Sequence, residues 1–225
     1  PREGDGAGAR TFALDYGRHW QPEDQRTARL AIFNSEDEAR FEQSGERDAA
    51  RVCSLVTPES TVLDFGCGTG RVARYVAPHC AELWAVDVSP RMLELTRERL
   101  PDATNLRFAF CEEVSIPEVA ASSVDVVYSF LVLQHLERED AYLALRELHR
   151  VLRPGGAAIL TFPNLLADVY LEGFLHYART GAVTNPARAR VYTPQEVERV
   201  LPAAGFSVVD LEAGNDIVVT CRPAS

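Results

Sequence analysis

Residues 62–74, VLDFGCGTGRVAR, decide the fold of this chain. A short apolar run contains Asp64, and Gly66, Gly68 and Gly70 then alternate with other residues before a segment that can be helical. This order predicts a strand, a tight glycine loop and a helix. Glycine has no Cβ, so the loop backbone can approach a ligand closely, and the unpaired N–H groups at the helix start can face that ligand. The stretch therefore predicts a site for a nucleotide-like ligand.

The spacing of the glycines distinguishes between two classes of such ligand. A dinucleotide site uses G-x-G-x-x-G, in which the third glycine lets the helix pack closely on the strand. This chain has G-x-G-x-G, and Arg71 stands where the third dinucleotide glycine would be. Asp64 adds a carboxylate at the mouth of the loop, where it would repel a pyrophosphate and attract an ammonium group. We therefore expect a nucleoside that carries an amino acid, and not a nicotinamide dinucleotide.

A second strand and a second helix follow the loop. Residues 82–87 form an apolar run that ends in Asp87, and Ser89 and Pro90 are residue types that begin helices. Strand, helix, strand and helix in succession predict a parallel sheet. Open α/β sheets bind ligands at the carboxyl ends of their strands, so Asp87 is placed to accept hydrogen bonds from both hydroxyls of a ribose. Met92 can pack near the base.

Two capping boxes mark the starts of further helices. Ser35 with Glu38 predicts a helix that begins near Glu36, and Thr193 with Glu196 predicts another. The alternation of helices and strands therefore continues on both sides of the glycine loop.

The loop and the acidic end of the second strand together resemble the class I S-adenosylmethionine-dependent methyltransferases. The matching residues are the D-x-G-x-G-x-G loop at 64–70, Asp87 and the run RVLRPGG at 150–156, within a resemblance that covers residues 35–222. It implies an α/β fold: a doubly wound, seven-stranded, mostly parallel sheet with helices on both faces, a C-terminal antiparallel hairpin and an N-terminal helical lid. The implied cofactor is S-adenosyl-L-methionine, and the implied product is S-adenosyl-L-homocysteine.

The resemblance assigns the cofactor to the loop and to the ends of the first four strands. Past the third strand the family usually places an acidic side chain against the adenine amino group. Its usual Gly-Asp pair is missing here, so Glu112, five residues before Pro117, is the first choice and Glu113 remains open. Cys67 is expected to be a small loop residue and not a nucleophile. The expected cofactor-binding residues are Asp64, Gly66, Cys67, Gly68, Thr69, Gly70, Asp87, Val88, Met92, Glu112, Glu113 and Ser129.

The loop after the fourth predicted strand, residues 124–129, is the part that the resemblance directs toward the methyl group. Gln134 and His135 lie in this loop. An imidazole has an ordinary pKa of about 6.5, which suits a proton acceptor near neutral pH. His135 is therefore the candidate catalytic base. The alternative is that His135 packs against the loop or caps it.

Two segments without a family pattern would select the acceptor. Residues 1–34 form an N-terminal segment that either covers the cofactor as a lid or packs onto the core. Residues 163–190 insert an amphipathic segment that either lines the acceptor pocket or covers the sheet edge. The candidate substrate-binding residues are Tyr16, Trp20, Gln134, Tyr170, Phe174 and Tyr177.

Composition limits the remaining classes of protein. The 225 residues carry a net charge of -10, with 25% charged and 46% hydrophobic residues, so one acidic globular domain over residues 1–225 is expected. An acidic surface repels nucleic acid. The five cysteines contain no C-x-x-C pair, and we expect no metal site. Without an apolar run of 18 residues or a signal-peptide core, we expect a cytoplasmic monomer or homodimer that has no membrane partner.

These patterns predict a methyltransferase that acts on a small-molecule acceptor, such as a natural product or another secondary metabolite. Two other hypotheses remain open. In the first, the chain is an S-adenosylmethionine-binding enzyme with a non-methyl outcome, such as cyclisation. In the second, it is a non-catalytic cofactor-binding domain that regulates a partner. The identity of the acceptor and the atom that is methylated are left open by the sequence.

Overall fold

The computed structural model describes residues 15–111, 115–181 and 188–224. The strands in these ranges are β1 Thr61–Phe65, β2 Glu82–Asp87, β3 Leu106–Phe110, β4 Val124–Ser129, β5 Leu152–Pro163, β6 Phe206–Ala213 and β7 Asp216–Pro223. They form one sheet in the order β3-β2-β1-β4-β5-β7-β6. Strands β1 to β5 pair in parallel, whereas β7 is antiparallel to both β5 and β6. The predicted seven-stranded, mostly parallel sheet with a C-terminal hairpin is confirmed.

Helices connect the strands and cover both faces of the sheet. The helices are α1 Gln25–Phe33, α2 Glu38–Cys53, α3 Ala73–Val76, α4 Pro90–Arg99, α5 Arg138–Val151, α6 Asp168–Thr180 and α7 Pro194–Ala203. Residues of α2, α3 and α4 contribute to one apolar cluster, and residues of α5 and α7 contribute to another.

Strand β1 shows why two helical layers are needed. Val62 belongs to the cluster that contains α2 to α4, whereas Leu63 and Phe65 belong to the cluster that contains α5 and α7. Successive side chains of a strand point to opposite faces of the sheet. Because β1 is apolar on both faces, each face must be covered, as is usual for parallel sheets. The apolar run before the glycine loop thus places that loop at the centre of the sheet.

The two predicted capping boxes have different outcomes. The prediction at Ser35 is wrong, because its hydroxyl accepts a hydrogen bond from Asp37 N and α2 begins only at Glu38. Asp37 caps α2 instead, and its Oδ1 accepts from Arg40 N at 3.0 Å. The second box is confirmed: Thr193 is the N-cap of α7 and exchanges both hydrogen bonds with Glu196. Ser and Asp two residues apart are both good caps, so the pattern alone did not separate them.

Helix α6 lies within residues 163–190, the segment that was predicted as an amphipathic insertion. No residue of α6 is buried. Its apolar side chains include Phe174, which is 49% exposed, and Val169, which is 56% exposed. Like the other helices in the described ranges, α6 is not long and apolar enough to cross a membrane. This helix therefore covers little of the sheet.

Gly45 lets α2 approach the chain just beyond the glycine loop, and this contact can be tested. A Cβ at Gly45 would lie 2.4 Å from the backbone oxygen of Arg71. We expect Gly45→Ala to lower the free energy of unfolding by about 1–3 kcal/mol, as overpacking does. The matched control is Gly173→Ala in α6, where an added Cβ meets nothing within 4 Å. That variant should gain about 0.5–1 kcal/mol from helix propensity. Urea unfolding measures both, and equal effects would contradict the close approach of α2.

Candidate functional site

The order of the strands opens a crevice beside β1. The chain runs outward from β1 through β2 to β3, and then returns to the other side of β1 to form β4. The connections after β1 and β4 therefore continue into helices on opposite faces of the sheet, α3 and α5, and a crevice between such connections is where open α/β sheets bind ligands. A cavity of about 920 Å³, its mouth included, lies here. Its lining consists of Tyr16, Trp20, Ile32, Asp64, Phe65, Gly66, Cys67, Gly68, Arg71, Val72, Val86, Asp87, Val88, Met92, Cys111, Phe130, Leu131, Val132, His135 and Leu136.

The glycine loop lines the cavity at the end of β1. Gly66 N and Cys67 N both donate to the carbonyl oxygen of Val86, at 2.8 and 2.9 Å, and thereby attach the loop to β2. Gly66 has a φ of 79°, and a Cβ on it would lie 2.3 Å from Val132 Cγ2. Only glycine suits both the backbone conformation and the space. A helix follows the loop, as predicted, but it is short: α3 has four residues and begins at Ala73.

Asp87 lies at the carboxyl end of β2, as predicted, and orients the glycine loop. Its Oδ2 accepts from Gly68 N at 2.9 Å, and its Oδ1 accepts from Ser89 N at 2.9 Å. The side chain is buried. Burial raises the pKa of this carboxyl to about 6, although the backbone N–H donors favour the ionised form. Asp87 is thus a buried carboxylate in a fixed orientation beside the loop.

Asp64 is a second buried carboxyl in the cavity. The Tyr128 hydroxyl donates to Asp64 Oδ2 at 2.9 Å. Burial raises the pKa of Asp64 to about 7, and the Tyr128 hydrogen bond and the charge of Arg71 oppose that rise. A carboxyl in this state is stabilised as the anion by any cation that enters the cavity. The predicted attraction for an ammonium group therefore has a physical basis in the structure.

Arg71 also lines the cavity, although the sequence interpretation treated it only as a residue that replaces a glycine. Its Nη1 donates to Asp48 Oδ2 at 2.7 Å and to Ser44 Oγ at 3.0 Å. The side chain is 5% exposed. Asp48 and Ser44 belong to α2, so Arg71 connects that helix to the cofactor side of the cavity. The pattern that could have predicted this role is a charged residue directly after a glycine loop.

The N-terminal segment covers part of the cavity. The buried Tyr16 hydroxyl donates to Asp140 Oδ2 at 2.6 Å and accepts from Glu137 N at 2.9 Å. Both partners lie at the start of α5. A Cβ at Gly17 would lie 2.7 Å from the carbonyl oxygen of Val88, so this segment also approaches the end of β2 closely. The segment thus spans from the β2 side of the cavity to α5.

His135 faces the cavity from a short 3₁₀ turn, Leu133–His135, after β4. Its ring centroid lies 4.8 Å from that of Trp20, with the rings at 65°. Its Nε2 lies 3.1 Å from Gln134 Nε2, within hydrogen-bonding distance. The Gln134 carbonyl oxygen accepts from Arg190 N at 2.8 Å. The turn is therefore attached to the chain on both sides of the cavity.

Four further predicted site residues that the structure describes lie outside the lining: Thr69, Gly70, Ser129 and Gln134. Thr69 is buried in the loop, Gly70 N donates to the Cys67 carbonyl oxygen, and Ser129 Oγ donates to the Phe65 carbonyl oxygen. Gln134 is adjacent to the cavity through its contact with His135. Glu112 and Glu113 lie outside the described residues. Their assignments stay predictions.

The three candidates on α6 do not line the cavity either. The Tyr170 hydroxyl donates to Asp216 Oδ1 at 2.7 Å, on the first residue of β7. Phe174 is exposed, and Tyr177 has an edge contact with His176. A role of these residues in acceptor binding stays a prediction.

Sequence reasoning missed the apolar side of the cavity. Apart from Arg71, the missed lining residues are Ile32, Phe65, Val72, Val86, Cys111, Phe130, Leu131, Val132 and Leu136. The run that follows β4 was the available signal, because apolar residues beyond a strand end require a partner. Leu131 has a φ of 62°, an uncommon conformation for a bulky residue, and its N–H donates to Thr161 Oγ1 at 3.1 Å. Such strain is concentrated at functional sites.

Comparison with known proteins relates this geometry to a family. Residues 63–160 match a family model described as a methyltransferase domain. The chain is 32% identical over 174 residues to malonyl-[acyl-carrier protein] O-methyltransferase of Methylococcus capsulatus, covering 75% of this chain and 60% of that protein. It is 35% identical over 144 residues to trans-aconitate 2-methyltransferase of Methylobacterium radiotolerans, covering 62% of this chain and 52% of that protein. The chain thus spans less than two thirds of the length of either relative.

A solved structure agrees with the fold. The N-methyltransferase NodS of Bradyrhizobium japonicum, in complex with S-adenosyl-L-homocysteine, superposes with a TM-score of 0.68 at 17% identity. The match covers 94% of this chain and 100% of that chain. At this identity the likeness concerns the fold alone.

The raised pKa of Asp64 predicts a pH-dependent effect on stability. The folded chain binds the proton of the Asp64 carboxyl more tightly than the unfolded chain does. The resulting contribution to the free energy of unfolding is present below about pH 4 and is lost as the pH rises toward 7. Asp64→Asn does not titrate and keeps an acceptor for Tyr128. Without ligand, we expect the Asn variant to gain stability relative to wild type between about pH 5 and about pH 8. Urea unfolding at both pH values measures this gain, and a difference that does not change with pH would contradict it.

Proposed function

Because the chain belongs to the class I S-adenosylmethionine-dependent methyltransferases, we propose that it transfers a methyl group from S-adenosylmethionine to a small-molecule acceptor. The observation that carries the proposal is the pair of buried carboxyls, Asp64 and Asp87, beside one glycine loop in one cavity. The cofactor has an ammonium group and two vicinal hydroxyls, and these are the groups that such carboxylates bind.

The residues of the cavity fit the parts of the cofactor. Asp64 would hold the ammonium group, since its carboxyl is buried without a strong cationic partner of its own. Asp87 would accept hydrogen bonds from the ribose hydroxyls while the loop N–H keeps it oriented. Val88 and Met92 offer apolar surface to the adenine. The glycine spacing and the acidic loop mouth both oppose a dinucleotide in this cavity.

When bound, the cofactor would supply a methyl group on a positively charged sulfur. A lone pair of the acceptor would form the new bond to the methyl carbon, the electron pair of the broken carbon–sulfur bond would stay on sulfur, and the product would be a neutral thioether. The leaving group is good, so the chain chiefly holds two reactants in line. Orientation of this kind accounts for roughly 7–11 kcal/mol of the barrier in favourable cases. The close contact between Gly66 and Val132 supports such a role, because it fixes the cofactor loop against the loop on the acceptor side.

His135 is our candidate for the group that takes the acceptor's proton. It lines the cavity, and its ring is held between the Trp20 ring and the Gln134 amide. A side chain restrained in this way is suited to general-base catalysis, which requires a fixed position more than a large motion. The role applies to acceptors that lose a proton on methylation.

The acceptor is proposed to be a small molecule, such as a natural product. The two relatives act, by name, on malonyl-[acyl-carrier protein] and on trans-aconitate. The net charge of -10 supports the same distinction, because an acidic surface repels a phosphate backbone.

Ligand binding tests the cofactor assignment. Calorimetry should detect S-adenosylmethionine and S-adenosylhomocysteine but not NAD. Asp87→Ala should weaken binding of S-adenosylhomocysteine by about 1.5–3 kcal/mol, the range for hydrogen bonds to a charged group. Asp168→Ala, on the exposed α6, is the matched control and should bind as wild type. If NAD bound and S-adenosylhomocysteine did not, the interpretation of the loop would be wrong.

Single-turnover kinetics test His135, using a hydroxyl acceptor found by a mass gain of one methyl group. That mass gain also separates methyl transfer from the two alternatives, a non-methyl reaction and a non-catalytic regulatory domain. His135→Ala should slow transfer by roughly 10²–10⁴-fold, remove the acidic limb of the pH profile and leave cofactor affinity nearly unchanged. His135→Gln keeps polarity without the base. A Gln variant as fast as wild type at every pH would show that His135 only packs.

A further inference from the structure

Much of the cavity lining is apolar. Asp64, Asp87 and the glycine loop occupy the part that the cofactor would take. Eight further lining residues come from the N-terminal segment, from α1 and from the chain after β4. They are Tyr16, Trp20, Ile32, Phe130, Leu131, Val132, His135 and Leu136. We name Phe130, Leu131, Val132 and Leu136 the apolar wall.

Few polar atoms are available to an acceptor in this part. The Tyr16 hydroxyl is committed to Asp140 and to Glu137 N. The imidazole of His135 and the indole of Trp20 are the other polar side chains of this group. A ligand in this part would therefore be buried mostly against carbon, and each additional polar group on it would lose hydrogen bonds to water.

Permanent positive charge is scarce in the described part of the lining. Arg71 supplies the one guanidinium among those residues, and it is bound to Asp48 and Ser44 on the cofactor side. Arg138 and Arg190 lie outside the lining, and their guanidinium groups donate to Glu196 and Glu137 respectively. Burial of a carboxylate without a cation is strongly unfavourable. Among the described lining residues, the chain therefore offers an anionic acceptor no cationic side chain of its own beyond the engaged Arg71.

The shape of the apolar wall is fixed. Leu131 is held at a φ of 62°, with its N–H on Thr161 Oγ1. Val132 is seated where a side chain at Gly66 would be. The Trp20 ring is fixed by its contact with His135. A rigid apolar wall and an indole in one cavity suit a flat ring, which gains packing on both surfaces and loses little conformational entropy.

We propose that the acceptor is an uncharged aromatic compound with a ring hydroxyl, and that Trp20 determines this specificity by packing on the ring. The proposal rests on the methyl transfer proposed above. The phenol oxygen forms the bond to the methyl carbon as the bond from that carbon to sulfur breaks. The electron pair of the broken bond stays on sulfur, and the phenol proton passes to the His135 imidazole and then to solvent.

Three probes that share a 4-propylphenyl group test the class of acceptor: 4-propylphenol, 4-propylbenzoate and 4-propylaniline. Binding to the protein saturated with S-adenosylhomocysteine is followed by tryptophan fluorescence in a Trp84→Phe background. The chain has two tryptophans, and Trp84 lies on β2 outside the cavity lining, so Trp20 becomes the reporter. We expect the phenol to bind at least about tenfold more tightly than the benzoate, because no free cationic side chain of the described lining would pair with the benzoate anion. With S-adenosylmethionine, only the phenol should gain the mass of one methyl group.

Variants separate a specific role of Trp20 from a general loss of structure. Trp20→Leu should weaken phenol binding by about tenfold, the loss expected for one aromatic contact, while affinity for S-adenosylhomocysteine is kept. Binding in this variant is measured by calorimetry. Val209→Ala, which removes an exposed apolar side chain from β6 at the edge of the sheet, is the control and should change neither affinity.

The outcomes distinguish this inference from the proposed function. If S-adenosylhomocysteine binds and the benzoate binds as well as the phenol, the acceptor class is overturned and the cofactor assignment stands. Methylation of the aniline in place of the phenol overturns the assignment of oxygen. An unchanged phenol affinity in Trp20→Leu overturns the role of Trp20. Failure of S-adenosylhomocysteine to bind overturns the proposed function, and this inference with it.

Discussion

The contact between Gly66 and Val132 is the constraint on which the site depends. A Cβ on Gly66 would lie 2.3 Å from a Val132 methyl group, so the two loops touch where the first one lacks a side chain. One loop follows β1 and holds the predicted cofactor groups, and the other follows β4 and carries His135. Since β1 and β4 are neighbours in the sheet, a single close approach sets the distance between both halves of the cavity. Interiors are close-packed, so neither loop can move toward the other.

The burial of the two carboxyls, Asp64 and Asp87, lowers the stability of the protein without ligand but prepares the cavity for a ligand. Burial raises the pKa of Asp64 to about 7 and that of Asp87 to about 6, so ionisation of either costs free energy in the empty cavity. Backbone N–H donors and the Tyr128 hydroxyl fix the oxygens without supplying a full positive charge. A ligand with a cation and two hydroxyls would supply what is missing. Sites prepared for a ligand commonly lower the stability of the empty protein in this way.

The sequence predicted the fold well, because the fold depends on local patterns, and several residues that it assigned to the cofactor line one cavity. The glycine spacing, the acidic end at Asp87 and the turn residues before α4 each act within a few positions of the chain. The sequence predicted that the loop after β4 faces the methyl group, but it did not identify which side chains of residues 130–136 line a cavity, because that depends on neighbours distant in the chain. Aromatic residues at helical spacing in α6 suggested an acceptor pocket; no residue of α6 is buried, and their role stays a prediction. The capping register at Ser35 failed because Asp37 competes for the same role.

The N-terminal segment combines the two roles that the sequence left open for it. The sequence left open whether Tyr16 packs on the core or belongs to a cover of the site. In the structure it is 3% exposed and also lines the cavity. Its hydroxyl bonds to Asp140 and Glu137 at the start of α5, and Glu137 in turn pairs with Arg190. Movement of the segment away from the cavity would break both hydrogen bonds of the buried Tyr16 hydroxyl, which is unfavourable. Access to the cavity is therefore coupled to the packing of α5.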